Sequence, residues 1–97
     1  MKSIEIQLKK FGQVFSSRPE GREVALSVIA YHFNKDSFDR VTLDFEGVLI
    51  MTPSWLSEFT QNIKHYGIGK IDYKNEDNAS VRSSIEMVEE EFRLSGT

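Results

Sequence analysis

The side chains best placed for chemistry lie between positions 44 and 58. Asp44 and Glu46, in Asp44-Phe45-Glu46-Gly47, are two residues apart and so share one side of an extended strand, opposite Phe45. That spacing allows a paired acid site. The competing role for Asp44 is to accept a backbone N–H where the strand ends. Thr52 and Ser54 follow, where an apolar strand runs into a helix, the junction at which open α/β sheets place their sites. A phosphate added there would meet free N–H groups and the positive end of a helix dipole. Neither hydroxyl has a neighbouring base to activate it, so no catalytic residue is expected. For Thr52, a plain N-cap role would suffice.

Other chemistries lack their residues. His32 and His65 fall on different expected helices with no carboxylate at ligand spacing. The absence of cysteine removes disulfides, Fe–S clusters and thiolate zinc sites, and suits a reducing compartment. The six glycines are dispersed, with neither a dinucleotide-binding fingerprint nor a P-loop. No metal or cofactor is therefore expected. Twelve basic against fifteen acidic residues give a net charge of −3, which argues against binding to nucleic-acid phosphates.

The 97 residues make one domain, residues 1–97, since two halves would each be too small to bury a useful core. A hydrophobic fraction of 39 % and a charged fraction of 28 % are those of a folded globular chain. Met1 to Glu5 lack the apolar stretch of a signal peptide, and the longest apolar run, Val48 to Met51, is far too short for a membrane span. A cytoplasmic location with no membrane contact is the expectation.

The elements that must hold these residues are legible in the periodicity. Ile4, Ile6 and Leu8 alternate with polar residues, predicting a strand over 3–8. Gly12, Val14 and Phe15 suggest a short strand folding back as a hairpin. Ser17 and Glu20 have capping-box spacing with Pro19 between them, opening a helix over 18–34 with a stripe through Leu26, Ile29, Ala30 and Phe33, flanked by Ala25 and Val28. Asn34 to Ser37 reads as a loop. Val41, Leu43 and Phe45 mark a buried strand over 40–45, and the apolar run 48–51, after a bulge or turn at Gly47, a further central strand. Thr52-Pro53 opens a helix over 53–66 that Gly67 ends, with Trp55, Leu56, Phe59, Thr60 and Ile63 inward. A strand over 70–74 and a helix over 79–93, with Val81, Ile85, Val88 and Phe92 on one face and a pair between Glu89 and Arg93, complete the chain, which should fray beyond Arg93. The expected fold class is α/β, a single mixed, mainly parallel four-stranded sheet with three helices. Ile6, Ile29, Leu43, Phe45, Phe59 and Ile85 are its expected core.

Val41 to Val48, followed by Met51-Thr52-Pro53-Ser54-Trp55-Leu56-Ser57-Glu58-Phe59, resembles the bacterial STAS-like domains of unassigned function. Those carry a hydrophobic strand ending in Asp-Phe-x-x-Val, a Ser-rich turn, and a helix with an aromatic-x-x-Glu motif, here Trp55 to Glu58. Phe11-Gly12 and Ser17-Arg18 fit the family's opening, and the resemblance spans most of residues 4–92. It implies kinship with the anti-sigma-factor antagonists. In those, a serine opening the helix after the central strand is phosphorylated by a histidine-kinase-like ATPase, and phosphorylation blocks partner binding. Where the antagonists have Asp-Ser-Ser-Gly, this chain has Thr52-Pro53-Ser54-Trp55, so Pro53 takes the acceptor position and Thr52 or Ser54 would have to serve.

The leading expectation is a non-catalytic regulatory module. It would dock a protein, such as a histidine-kinase-like ATPase or an anti-sigma factor, through the strand-end turn and the following helix. Asp44, Thr52, Ser54, Trp55 and Glu58 are its candidate contact or acceptor residues. A second reading is a small-ligand or enzymatic site in a crevice at Asp44 and Thr52. A third is a homodimer pairing apolar helix faces.

Overall fold

A computed structural model describes residues 2–33 and 37–95. The expected loop at 34–37 lies outside the described residues except for Ser37. In chain order the elements are β1 (Ser3–Gln7), β2 (Val14–Phe15), α1 (Arg18–His32), β3 (Arg40–Asp44), β4 (Ile50–Met51), α2 (Pro53–Tyr66), β5 (Lys70–Lys74) and α3 (Ala79–Leu94), with a 3-10 turn over Leu8–Phe11 between the first two strands. The fold is α/β with three helices and parallel strand pairs throughout the described residues.

The single four-stranded sheet is not what forms. There is a three-stranded sheet in the order β1-β3-β5 and a separate two-stranded sheet pairing β2 with β4. The reason is a matched interruption. β1 and β3 stay in register to Gln7 opposite Asp44, leave the ladder together, and resume as β2 and β4 with Val14 opposite Ile50. On one side the 3-10 turn consumes the intervening residues; on the other, Val48 N–H donates to the Phe45 carbonyl (3.0 Å) to close a tight turn. Gly47 occupies that turn at φ +85°, and a β-carbon there would come within 3.3 Å of the Lys9 side chain, so the two turns lie against each other. The short strand at Val14–Phe15 is accordingly parallel to β4, not the return arm of a hairpin. The run 48–51 is not buried on both faces either: Val48 and Met51 are buried, whereas Leu49 and Ile50 face outward.

The outer edge of β4 is closed by side chains. Met51 N–H donates to Ser80 Oγ (3.1 Å), Ser84 Oγ donates to the Met51 carbonyl (2.9 Å), and Asn78 Nδ2 donates to the Leu49 carbonyl (2.9 Å). The first turns of α3 thus satisfy backbone groups that a neighbouring strand would otherwise pair. Asn78 Oδ1 also caps α3, accepting from Ser80 N–H (2.8 Å) and Val81 N–H (3.2 Å).

The core gathers around β3 and α2. Val41, Leu43 and Phe45 alternate inward from the central strand, and α2 buries Trp55, Leu56, Ser57, Phe59, Thr60 and Ile63. A stripe that wide lies between two neighbours: α1 packs along α2, and α3 is joined to it where Ser57 Oγ donates to Glu91 (2.7 Å). On α1 the buried stripe is rotated from expectation. Gly21, Ala25 and Val28 are buried, Ile29 is half-buried, and Leu26 and Ala30 face outward. The close approach of α1 to α2 selects that face, because a β-carbon at Gly21 would sit 2.5 Å from the Trp55 carbonyl oxygen. Of the expected core, Ile6, Leu43, Phe45, Phe59 and Ile85 are buried. Arg93 bonds to Glu90 (Nε to Oε2, 3.1 Å) in place of Glu89, and α3 runs one residue past the expected fraying point.

Gly21→Ala should therefore push the helices apart and cost about 1–3 kcal/mol. A urea midpoint equal to that of the wild type would show that the α1–α2 contact is looser than this.

Candidate functional site

The strand-end turn is built from two parallel strands that feed two adjacent helices. β2 ends at Phe15 and β4 at Met51, in register, and each chain turns into a helix within three residues. Thr52 links the two exits. Its hydroxyl donates to the Ser16 carbonyl (2.9 Å) and accepts from Trp55 N–H (3.3 Å), so it caps α2 and ties α2 to the start of α1. Ser17 caps α1, accepting from Glu20 N–H (3.3 Å). Pro53 takes the first position of α2, where no intrahelical donor is needed.

Among the candidate residues, Ser54 alone is exposed with its hydroxyl in none of the described hydrogen bonds. Trp55, one residue on, is at the opposite extreme. Its side chain is 0 % exposed, stacked on Phe59 (centroids 5.1 Å apart, planes 12° apart) and edge-on to Phe15 (4.8 Å, 66°). A residue so enclosed presents no surface to a partner; Trp55 belongs to the core. Glu58 is half-buried. It pairs with Arg18 across the helix boundary (Nη1 to Oε1, 3.2 Å) and accepts from Asn62 Nδ2 (3.2 Å).

Asp44 lies at the C-terminal end of the central strand and is 4 % exposed. Its Oδ1 accepts from Asn75 Nδ2 (2.8 Å) and from Glu46 N–H (3.0 Å). The Asn75 amide above all, then the Glu46 N–H, holds its carboxyl below the usual aspartate range. Burial works in the opposite direction, and Lys74 and Lys9 add a smaller favourable field. Asn75 makes this bond from φ +58°, a left-handed conformation that asparagine tolerates better than most residues. Asp44 and Glu46 do not form an acid pair. Glu46 points to solvent and contacts Lys9 (3.5 Å), while Asp44 closes the strand end. Of the two residues of the alternative crevice, Asp44 through Oδ1 and Thr52 through its hydroxyl are hydrogen-bonded within the fold.

A roomier hollow lies elsewhere. A groove of about 870 Å³ runs between the second half of α2 and the end of α3, with Gln61, Lys64, His65, Glu91 and Phe92 on its walls and the Lys64 ammonium 4.1 Å from the Phe92 ring centre. Sequence reasoning did not find it, because it arises from two helix ends meeting in space and no motif marks it. His32 lies on α1 and His65 on α2, and no cluster of metal-ligating side chains occurs among the described residues. Nor is any described helix long and apolar enough to cross a membrane.

A strand ending in Asp44-Phe45, a turn through Val48, a capped helix from Pro53 and parallel pairing around them define an α/β domain of the STAS-like type. The chain belongs to the family described as the STAS-like domain of unknown function, whose model matches residues 20–81, from the first turn of α1 to the first turn of α3. No curated protein and no solved structure matches it.

Thr52→Ala removes a cap and an inter-helix tie together and should cost about 1–2 kcal/mol, read as a lower denaturation midpoint. Asp44 supplies a pH test. Because its folded pKa is depressed, its contribution to stability is complete above the ordinary value of 3.8 and is lost as pH falls through the folded pKa. Stability should therefore drop below about pH 4, and less steeply in Asn75→Ala, as followed by urea denaturation at each pH.

Proposed function

We propose that this STAS-like domain is a non-catalytic regulatory module that docks a protein through the strand-end turn, with Ser54 as the position at which added charge controls docking. The observation that carries the reading is one of placement. Val14 and Ile50, direct partners in the β2–β4 pair, are 57 % and 47 % exposed, and Leu49 beside them is 56 % exposed. This apolar strip leads within four residues to the exposed Ser54. Apolar side chains grouped at the rim of a polar turn are the composition of a protein-contact surface.

The class of partner comes from the resemblance to the anti-sigma-factor antagonists. In the anti-sigma-factor antagonists that these domains resemble, the corresponding turn meets a histidine-kinase-like ATPase, and a phosphate there ends the interaction. The partner proposed for this chain is a protein of that ATPase class. Thr52 is a poor acceptor because its hydroxyl is spent in both directions on the fold. Ser54 has no such duty, and negative charge in the first turn of α2 is compatible with the helix dipole.

The test uses the intact domain and a histidine-kinase-like ATPase from the same organism, with affinity measured by calorimetry. Ser54→Asp should change folding stability by less than about 0.5 kcal/mol and weaken binding severalfold or more. Trp55→Ala should lower stability by about 3–5 kcal/mol, as loss of a core aromatic does. Unchanged affinity in Ser54→Asp would remove the strand-end turn from consideration as the docking site.

A further inference from the structure

Arg18 occupies the first helical position of α1, yet its guanidinium reaches across to Glu58 on α2. The backbone brings the two helix starts together. Gly21, one turn after Arg18 and on the same face of α1, lies against the Trp55 carbonyl, next to Ser54. The strand exits are tied two residues earlier by the bond from Thr52 to Ser16. Ser54 and Glu58 are four residues apart on α2 and so are neighbours on one helix face. One guanidinium therefore stands beside a face that carries an exposed hydroxyl one turn before a carboxylate.

We infer that Arg18 is a phosphate clamp held in reserve: when Ser54 is phosphorylated, the guanidinium leaves Glu58 and binds the phosphate. The inference rests on the reading of Ser54 as the control point of the docking face. The modification is a phosphoryl transfer from the nucleoside triphosphate of a protein kinase. The bond between the γ-phosphorus and its bridging oxygen breaks, the bond from Ser54 Oγ to phosphorus forms, the hydroxyl proton passes to a base on the kinase, and nucleoside diphosphate leaves.

Three features favour the exchange. A phosphoserine carries a charge of about −1.5 to −2 near neutral pH against −1 for a carboxylate, and it accepts a guanidinium fork in bidentate fashion. The same charge repels Glu58 at four residues' distance and weakens the existing pair. Glu58, once released, keeps the hydrogen bond from Asn62, while the Arg18 side chain is 51 % exposed and has room to swing. The docking face would then lose a cation–carboxylate pair and gain a neutralised phosphate beside a bare carboxylate, without any change of fold.

The test places phosphoserine at position 54 of the full chain by site-specific incorporation and follows its second ionisation by phosphorus NMR, with the backbone amide spectrum as the check on folding. The midpoint, ordinarily near pH 6, should lie about half a unit lower with Arg18 present than in Arg18→Gln, a roughly threefold stabilisation of the dianion. Arg18→Lys should recover part of that difference, and Glu58→Gln should keep or enlarge it, since the competitor is gone. The Arg18 Nε–H resonance should move on phosphorylation in the otherwise unaltered chain. Coincident midpoints in the Arg18 and Gln forms, or an unmoved Arg18 resonance, would overturn the clamp. Partner affinity is read separately: weaker docking with coincident midpoints refutes the clamp and spares the docking reading, whereas displaced midpoints with unchanged docking uphold the clamp and refute that reading.

Discussion

The structure turns on the seating of Trp55. Its backbone N–H is capped by Thr52, its carbonyl is the surface on which Gly21 of α1 rests, and its ring fills the space between Phe15 and Phe59. One residue thus fixes where α2 begins, how closely α1 approaches and how the end of β2 is covered. The fit has a cost: the indole N–H is buried without a hydrogen-bond partner among the described residues, a penalty of about 1–3 kcal/mol. Burial of a ring this size and its aromatic contacts offset that penalty.

The second constraint is the paired interruption of the strands. Had β1 and β3 run on without a break, their ends would have continued one flat ladder, and the helices that follow would have started from it directly. The 3-10 turn and the turn at Gly47 instead set β2 and β4 apart as their own short pair, with Val14, Leu49 and Ile50 outward. The open edge of β4 is closed by Asn78, Ser80 and Ser84 of α3, so the last helix is hydrogen-bonded to the strand that immediately precedes the helix carrying Ser54. Apolar exposure at the turn is a consequence of this geometry.

Much of this was written in local sequence signals. The caps at Ser17 and Thr52, the helix span from Pro53, the strand at 70–74 and the inward alternation of Val41, Leu43 and Phe45 are all short-range patterns, and they formed as periodicity and capping chemistry require. What failed were inferences that needed a third dimension. Four apolar residues at 48–51 look alike to a hydropathy pattern, yet two of them face outward because only one face of the short β2–β4 pair, the one carrying Phe15 and Met51, is covered by the core. The stripe on α1 was set by glycine at position 21 meeting a carbonyl from another helix, an apolar count being blind to a residue valued for having no side chain. Asp44 was legible as a strand-end acceptor, but its second partner, Asn75, lies 31 residues away.

The candidate residues separate by how firmly each is held. Asp44 is buried, doubly bonded and depressed in pKa, so changing its charge means disturbing the end of the central strand. Thr52 and Trp55 are similarly committed, one by two hydrogen bonds and the other by its core contacts. Signals that must be written and erased without unfolding a protein need groups outside such commitments. Ser54 is exposed, and the pair it neighbours, Arg18 with Glu58, is partly solvated, where ion pairs are worth a few tenths of a kcal/mol to about 1 kcal/mol. An interaction that weak is easily exchanged for a stronger one. The rigid residues of the turn therefore supply its shape, and the weakly held ones among those described can change charge at little expense to the fold.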